Sequence, residues 1–237
     1  MTVPGASAEL GLRVLLRGAM VILAGVLWIL VWEANHLLFE ALEVAPGINL
    51  FFFPHGIRVL LTLLFGFWGA TGIAITSALT SQELWGDTPL TAFITPFVSG
   101  YCAWIALALV LPGRTPILLD RGPPESERAT TGYNPLGPAR VHSPSLIALV
   151  CVSAIINSGG HIASHGMSSW LHDSGALSAS SSASDPAQPA EGNLKESLAQ
   201  SFAAMLCGDL LGGLVLLYGL RWMVLAFERV SRSARRS

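Results

Sequence analysis

Long apolar runs, separated by short polar segments, dominate this chain of 237 residues. Most of the runs are close to the roughly 20 apolar residues that a helix needs to cross a membrane. Only 12% of the residues are charged, against about 25% in soluble domains. Because so little of the surface can face water, the sequence predicts an all-α, polytopic membrane helix bundle. The apolar runs are Val14–Trp32, Ile48–Leu79, Pro89–Leu111, Ser145–Trp170 and Phe202–Phe227.

The distribution of cationic residues predicts the orientation of the spans, because Lys and Arg favour the cytoplasmic flanks of membrane helices. With both termini cytoplasmic, all but two of the 13 cationic residues lie inside. The chain is then extracytoplasmic at both Glu43 and Asp87, so the segment between them crosses an even number of times. We therefore predict a short, Gly-rich helical hairpin over 56–81, with its turn at GFWG (residues 66–69), and about six transmembrane helices. The alternative is five spans, with one continuous helix over 56–81.

The chain is predicted to form one integral membrane domain over residues 1–237, in the bacterial cytoplasmic (inner) membrane. Flexible loops are expected at 112–144, which is Pro-rich and cytoplasmic, and at 173–193, which is Ser/Ala-rich and extracytoplasmic. Trp28 lies near the end of the first apolar run and is expected to be an anchor at the membrane interface.

The partners are predicted from charge and hydropathy. The net charge of −2 gives no field that would attract nucleic acid. The expected partners are therefore the lipid bilayer and another membrane protein. No recognised catalytic motif is present, which favours a non-enzymatic protein without excluding an enzyme, and the sequence leaves any cofactor unknown.

Two ionisable residues inside apolar runs are the strongest candidates for a functional site. Arg58 follows His55 near a predicted helix start, and Asp209 lies in the last apolar run. A charge in hydrocarbon is costly unless it is paired or faces a polar cavity. Three roles are open for Arg58: extension to the membrane interface, an ion pair, or contact with a ligand beside His55. Asp209 is a candidate partner of Arg58, a proton carrier or a ligand anchor.

Two further patterns point to packing and to metal binding. Gly208 and Gly212 form a GxxxG pattern, which is typical of close packing between membrane helices. His161 and His165 are spaced i, i+4, which puts both on one face if the helix is regular. They are candidate metal ligands or pH sensors, and the alternative is a pair of ordinary polar interface residues. The helix itself is in question at this point because Gly159 and Gly160 precede His161.

The segments NLFFFPHGIRVLLTLLFGFWGATGIAIT (residues 49–76) and CGDLLGGLVL (residues 207–216) resemble the bacterial membrane-associated sensor (MASE) domains. The chain departs from that pattern at Arg58, where the family is usually apolar, and in having fewer than eight spans. The resemblance implies an integral membrane sensor or accessory subunit that binds a ligand, lipid or partner within the bundle. The matching positions are Pro54, Gly56, Gly66, Gly208 and Asp209.

Two other functions stay open. The helix count is similar to that of the six-helix substrate-binding subunits of energy-coupling-factor vitamin transporters, which implies a small-molecule transport component. The glycine-rich helices also suit a structural assembly factor of a membrane complex, since small residues allow helices to pack closely.

Overall fold

The computed structural model describes residues 6–39, 43–45, 48–49, 51–84, 89–112, 143–173 and 191–234. These residues form six helices and one short antiparallel pair of strands. The prediction of an all-α helix bundle is confirmed, and the strand pair between the first two helices is an addition to it. The elements are α1 (Ala6–Phe39), β1 (Glu43–Ala45), β2 (Ile48–Asn49), α2 (Phe53–Phe65), α3 (Phe67–Leu84), α4 (Pro89–Val110), α5 (Ser143–Asp173) and α6 (Glu191–Ala234).

Three of the described helices are long and apolar enough to cross a membrane, which is fewer than the six spans predicted. The difference lies in the three middle helices, α2 to α4. α2 is apolar but has 13 residues, which is about 20 Å at 1.5 Å per residue, against a hydrocarbon core of about 30 Å. The apolar part of α4 is also short, at Ile94–Val110. The three long apolar segments are Glu9–Phe39, Pro144–Ser164 and Ala199–Val224.

The long helices present large apolar side chains to the outside of the bundle. Six such side chains on α1 and α6 are 68–79% exposed. A surface of this kind is unfavourable in water and suits contact with a bilayer or with another membrane protein. These side chains are Leu15, Ile22, Leu37 and Leu38 of α1, and Trp222 and Phe227 of α6.

A single glycine separates α2 from α3. Gly66 has a φ of 60°, a backbone conformation that residues other than glycine rarely adopt. Its N–H donates to the Thr62 carbonyl at 2.8 Å. In one straight helix Leu61 and Gly69 would lie about 12 Å apart. A Cβ atom on Gly69 would instead lie against the Leu61 backbone, so α3 folds back onto α2. The five-span alternative, with one continuous helix over 56–81, does not fit this break.

α2 is the shortest of the six described helices and lies at the centre of the bundle, in contact with each of the other five. Its Ile57, Leu61 and Phe65 are buried in a cluster with residues of α1 and α3. Val59 and Leu63 are buried in a second cluster with residues of α4, α5 and α6. Because α2 is packed on both of these sides, any polar side chain on the stripe between them is also held inside the bundle.

Several sequence predictions concern helix boundaries and loops. α5 is one continuous helix through Gly159 and Gly160, so the doubt about helix regularity there was wrong. α6 begins at Glu191 and runs without a break through the whole of the last apolar run. The loop predicted at 112–144 lies outside the described residues except at its two ends. Most of the loop predicted at 173–193 also lies outside them.

Candidate functional site

The structure brings His55, Arg58 and Asp209 together in the interior of the bundle. His55 and Arg58 are three residues apart on α2 and lie on the same stripe of that helix as Thr62. Asp209 lies on α6, which packs against α2. The three side chains are 0%, 3% and 1% exposed, respectively. Burial of Arg58 does not fit the alternative in which it extends to the membrane interface.

The first turn of α2 is fixed against α6 at the level of Asp209. The Phe52 N–H donates to the Gly208 carbonyl at 3.1 Å, and the Phe53 N–H donates to Asn35 Oδ1 at 3.0 Å. Pro54 lies in the first turn of α2. Proline is tolerated there because the N–H groups of a first turn make no hydrogen bond within the helix, so none is lost. These contacts satisfy donors that a helix start would otherwise leave free, and they set the depth at which His55 and Arg58 enter the bundle.

Gly212 allows the close approach of α6 to this turn, because a Cβ atom there would overlap the Phe52 carbonyl. A Cβ atom on Gly213 would lie 3.0 Å from Val150 Cγ1, which is a side-chain contact rather than a backbone one. Gly208 contributes its carbonyl to the bond with Phe52. The two glycines of the GxxxG pattern therefore both lie at the contact between α2 and α6.

Asn157 of α5 connects the two charges. Arg58 Nη1 donates to Asn157 Oδ1 at 3.3 Å, and Asn157 Nδ2 donates to Asp209 Oδ2 at 2.8 Å. Arg58 Nη2 donates to Ser99 Oγ of α4 at 2.6 Å. Within the described part of the chain, Arg58 and Asp209 form no direct ion pair. Each end of the Asn157 amide matches the charge it meets, since its oxygen accepts from the cation and its nitrogen donates to the anion.

His55 approaches the same carboxylate from α2. His55 Nδ1 lies 3.6 Å from Asp209 Oδ2, which is an ion-pair distance if the imidazole is protonated but is long for a hydrogen bond. Neither ring nitrogen of His55 has a hydrogen-bond partner among the described residues. Asp209 thus has a neutral donor, Asn157, and a titratable neighbour, His55, on the same oxygen.

Two aromatic rings cover the Arg58 guanidinium. Its carbon atom lies 5.6 Å from the Trp28 ring centroid and 5.4 Å from the Phe52 ring centroid, which are cation–π distances. Trp28 is 3% exposed, so the prediction that it anchors the chain at the membrane interface was wrong. The two rings pack against the same guanidinium that Ser99 and Asn157 contact through hydrogen bonds.

The network leaves polar atoms without partners. Asp209 Oδ1, Arg58 Nε and Thr62 Oγ1 are buried and have no hydrogen-bond partner among the described residues. Buried polar atoms in folded proteins are nearly always bonded to protein or to ordered water. The site therefore offers both an acceptor and a donor to a small polar molecule. We refer to His55, Arg58, Asn157 and Asp209 as the buried network.

The described residues supply no further ligand for the metal site suggested by His161 and His165. His161 is buried on α5, one helical turn from Asn157, and the His165 side chain lies outside the described set. No group of three or more His, Cys, Asp or Glu residues that could hold a metal ion occurs in the part of the chain that the structure describes. The metal site at these two histidines stays a prediction, without added support.

Sequence reasoning missed Asn157 and Ser99 as members of the site. Both are neutral polar residues inside apolar helices, and both lie far along the chain from Arg58. The available signal was Asn157, a residue with a strong hydrogen-bonding side chain within the apolar run that begins at Ser145. Such residues usually bond across helices in membranes.

The chain was compared with protein families, curated proteins and solved structures. No model of a known protein family, no curated protein and no solved structure matches the chain.

Proposed function

We propose that this protein is an integral membrane sensor or accessory subunit that binds a small polar ligand at the buried network and acts through a membrane-protein partner. One observation carries the proposal: a buried cation and a buried carboxylate, with polar atoms left unbonded, lie inside a bundle with long apolar helices. Ionisable residues at such positions in membrane proteins usually mark ligand, ion or proton sites.

A purely structural role explains the network less well. Burying two charges costs free energy that their attraction often fails to return, so apolar packing commonly stabilises a core as well or better. A structural network would also be expected to satisfy its members, whereas Asp209 Oδ1 and Arg58 Nε have no partner among the described residues. An unbonded acceptor and an unbonded donor in one network favour a ligand that carries both groups.

The proposed topology has six membrane helices with both termini cytoplasmic, in the bacterial cytoplasmic membrane. The cation distribution supports the orientation. The break at Gly66 supports two short helices rather than one long helix between Glu43 and Asp87. The resemblance to membrane-associated sensor domains supports a sensory role, and the exposed apolar faces of α1 and α6 offer area for a partner as well as for lipid.

A small-molecule transport component is the second candidate. The observation that favours it is the position of the buried network at the start of a short, discontinuous helix. In many transporters, substrate and ion sites are built where membrane helices are interrupted. A structural assembly factor, which would use the glycine contacts alone, leaves the unbonded atoms of the network unexplained.

Two measurements on the full chain, gently solubilised from membranes, test the proposal. A stoichiometric partner is expected to copurify with the wild type. In a thermal-shift screen of amino acids and small amides, which carry both a donor and an acceptor, at least one compound is expected to stabilise the wild type. The Asp209→Asn variant should lose that stabilisation, while Glu9→Gln, a matched change at an exposed carboxylate on α1, should keep it.

Other outcomes decide between the candidates. Uptake of a stabilising compound by proteoliposomes that contain this protein alone would favour the transport component. A copurifying partner without any Asp209-dependent stabilisation would favour the assembly factor. If neither a partner nor a stabilising compound is found, the proposed sensor function is wrong.

A further inference from the structure

A groove with mostly apolar walls lies between α3 and α4, apart from the buried network. Its volume is about 220 Å³, which is below the roughly 300–1,000 Å³ of pockets that enclose a drug-sized ligand. Ile75 and Phe97, on its walls, are each 51% exposed, so the groove opens at the surface. Its size and openness suit one segment of a chain molecule rather than a whole ligand. The lining residues are Thr71, Ala74, Ile75, Ala78, Pro96, Phe97 and Tyr101.

A continuous series of aromatic contacts leads from the groove to a cation. The Phe97 and Tyr101 rings lie 6.0 Å apart, and Tyr101 lies 5.7 Å from Phe67. Phe67 lies 5.5 Å from Trp68, and the Arg17 guanidinium lies 5.1 Å from the Trp68 ring centroid. The groove and the cation therefore belong to one connected surface, to which α1, α3 and α4 contribute.

Polarity rises in order along this surface. The groove around Ala78 and Phe97 is apolar. The Tyr101 hydroxyl lies 3.1 Å from Thr71 Oγ1, which donates to the Phe67 carbonyl at 2.9 Å, so polar atoms occur at the middle of the surface. The far end carries the exposed positive charge of Arg17. An acyl chain, an ester region and a phosphate follow one another in the same order in a phospholipid.

We propose that this surface binds one anionic phospholipid, with its phosphate at Arg17 and one acyl chain in the groove. The guanidinium of Arg is well suited to phosphate oxygens. Trp and Tyr rings are common at the level of lipid headgroups, where one edge of the ring is apolar and the other wet. A membrane helix from a partner would also fill an apolar groove, but it would not account for the cation at the end of the aromatic series. The site is independent of the ligand proposed for the buried network.

Photo-crosslinking with two lipids tests the proposal on the purified full chain in detergent. One probe is phosphatidylglycerol with a photoactivatable acyl chain, and the other is phosphatidylcholine with the same chain. The wild type should be labelled in α3 and α4, more strongly by phosphatidylglycerol. Arg17→Gln should lower labelling by phosphatidylglycerol about fivefold, the change that ~1 kcal/mol per cation near the membrane surface gives. Arg13→Gln is the matched control, since the Arg13 guanidinium bonds to Glu9.

A second pair of variants tests the groove itself. Ala78→Leu fills it and should reduce labelling by both lipids, whereas Ala203→Leu, on an exposed position of α6, should not. Equal labelling by the two lipids, unchanged in Arg17→Gln, would overturn the proposal. So would a change in oligomeric mass for Ala78→Leu without loss of labelling, because the occupant would then be a protein helix. Arg17 is exposed, so the first pair decides the question if Ala78→Leu does not accumulate.

Discussion

The free-energy coupling between Arg58 and Asp209 is the most direct measure of the buried network. Arg58→Met and Asp209→Asn each remove one charge and keep most of the side-chain volume. Removal of one member of a buried pair leaves the other charge uncompensated, which typically costs roughly 3–5 kcal/mol. Both single variants should therefore melt well below the wild type, and the double variant should recover part of the loss.

The geometry sets the size of the recovery. Two hydrogen bonds, of 3.3 Å and 2.8 Å, and the Asn157 amide between them separate the charged atoms. This path puts the charges at most about 8 Å apart. Two unit charges at that distance interact by roughly 2 kcal/mol at an effective dielectric constant of about 20. The double variant should therefore be about 2 kcal/mol more stable than the sum of the two single changes predicts.

The assay is unfolding of the four proteins in one detergent, followed by heat or by denaturant. Agreement with strict additivity, within about 0.5 kcal/mol, would refute the coupling. Asn157→Leu removes the bridge and should be strongly destabilising, because it leaves Asp209 and Arg58 without a shared partner. Ser158→Ala, at the next position of α5, removes a hydroxyl that has no partner among the described residues and should have little effect.

Two further predictions concern helix packing and topology. Gly212→Ala should cost about 1–3 kcal/mol of stability because its new methyl group meets the Phe52 backbone. Gly213→Ala should cost less, because its methyl group meets the Val150 side chain, which can move. Gly219→Ala has open space around it and should be neutral. All three variants melting together would mean that α6 does not approach α2 this closely. In a chain whose native cysteines are replaced, Ser180→Cys should react with an impermeant thiol reagent from outside, and Glu125→Cys should not. Labelling of position 125 from outside would rule out the six-helix topology.

The positions of the helices and of the break between α2 and α3 were predicted from local features of the sequence. Apolar runs located the helices, and the glycines from Gly66 onward located the break between α2 and α3, because only glycine readily takes a positive φ there. The break is sharper than predicted, since Gly66 alone separates the helices and α3 begins at Phe67. The number of membrane spans did not follow from local sequence features. α2 has 13 residues, and a helix of that length is shorter than a typical span.

Sequence reasoning predicted the ionisable residues of the site, which are His55, Arg58 and Asp209, but not its neutral polar residues. Arg58 and Asp209 stand out in the sequence because burying a charge among apolar residues costs free energy. Asn157 does not stand out in the same way, since a neutral amide in a membrane helix has many partners available. Its role depends on the packing of α5 against α4 and α6, which brings residues far apart in sequence to one point. Trp28 was misassigned for the same reason, because an aromatic ring near a helix end and a ring over a buried cation have the same local sequence.

Two members of the buried network, His55 and Arg58, lie on α2 at the centre of the bundle. α2 contacts each of the other described helices, and Arg58 on it is 3% exposed. An apolar side chain at position 58 would be the simpler way to hold such a helix in place, because it carries no desolvation cost. The chain instead places Arg58 there, covers it with Trp28 and Phe52, and leaves both its Nε and one oxygen of Asp209 unbonded among the described residues. Packing alone does not require these two atoms, and they are the reason to look for a ligand at this point.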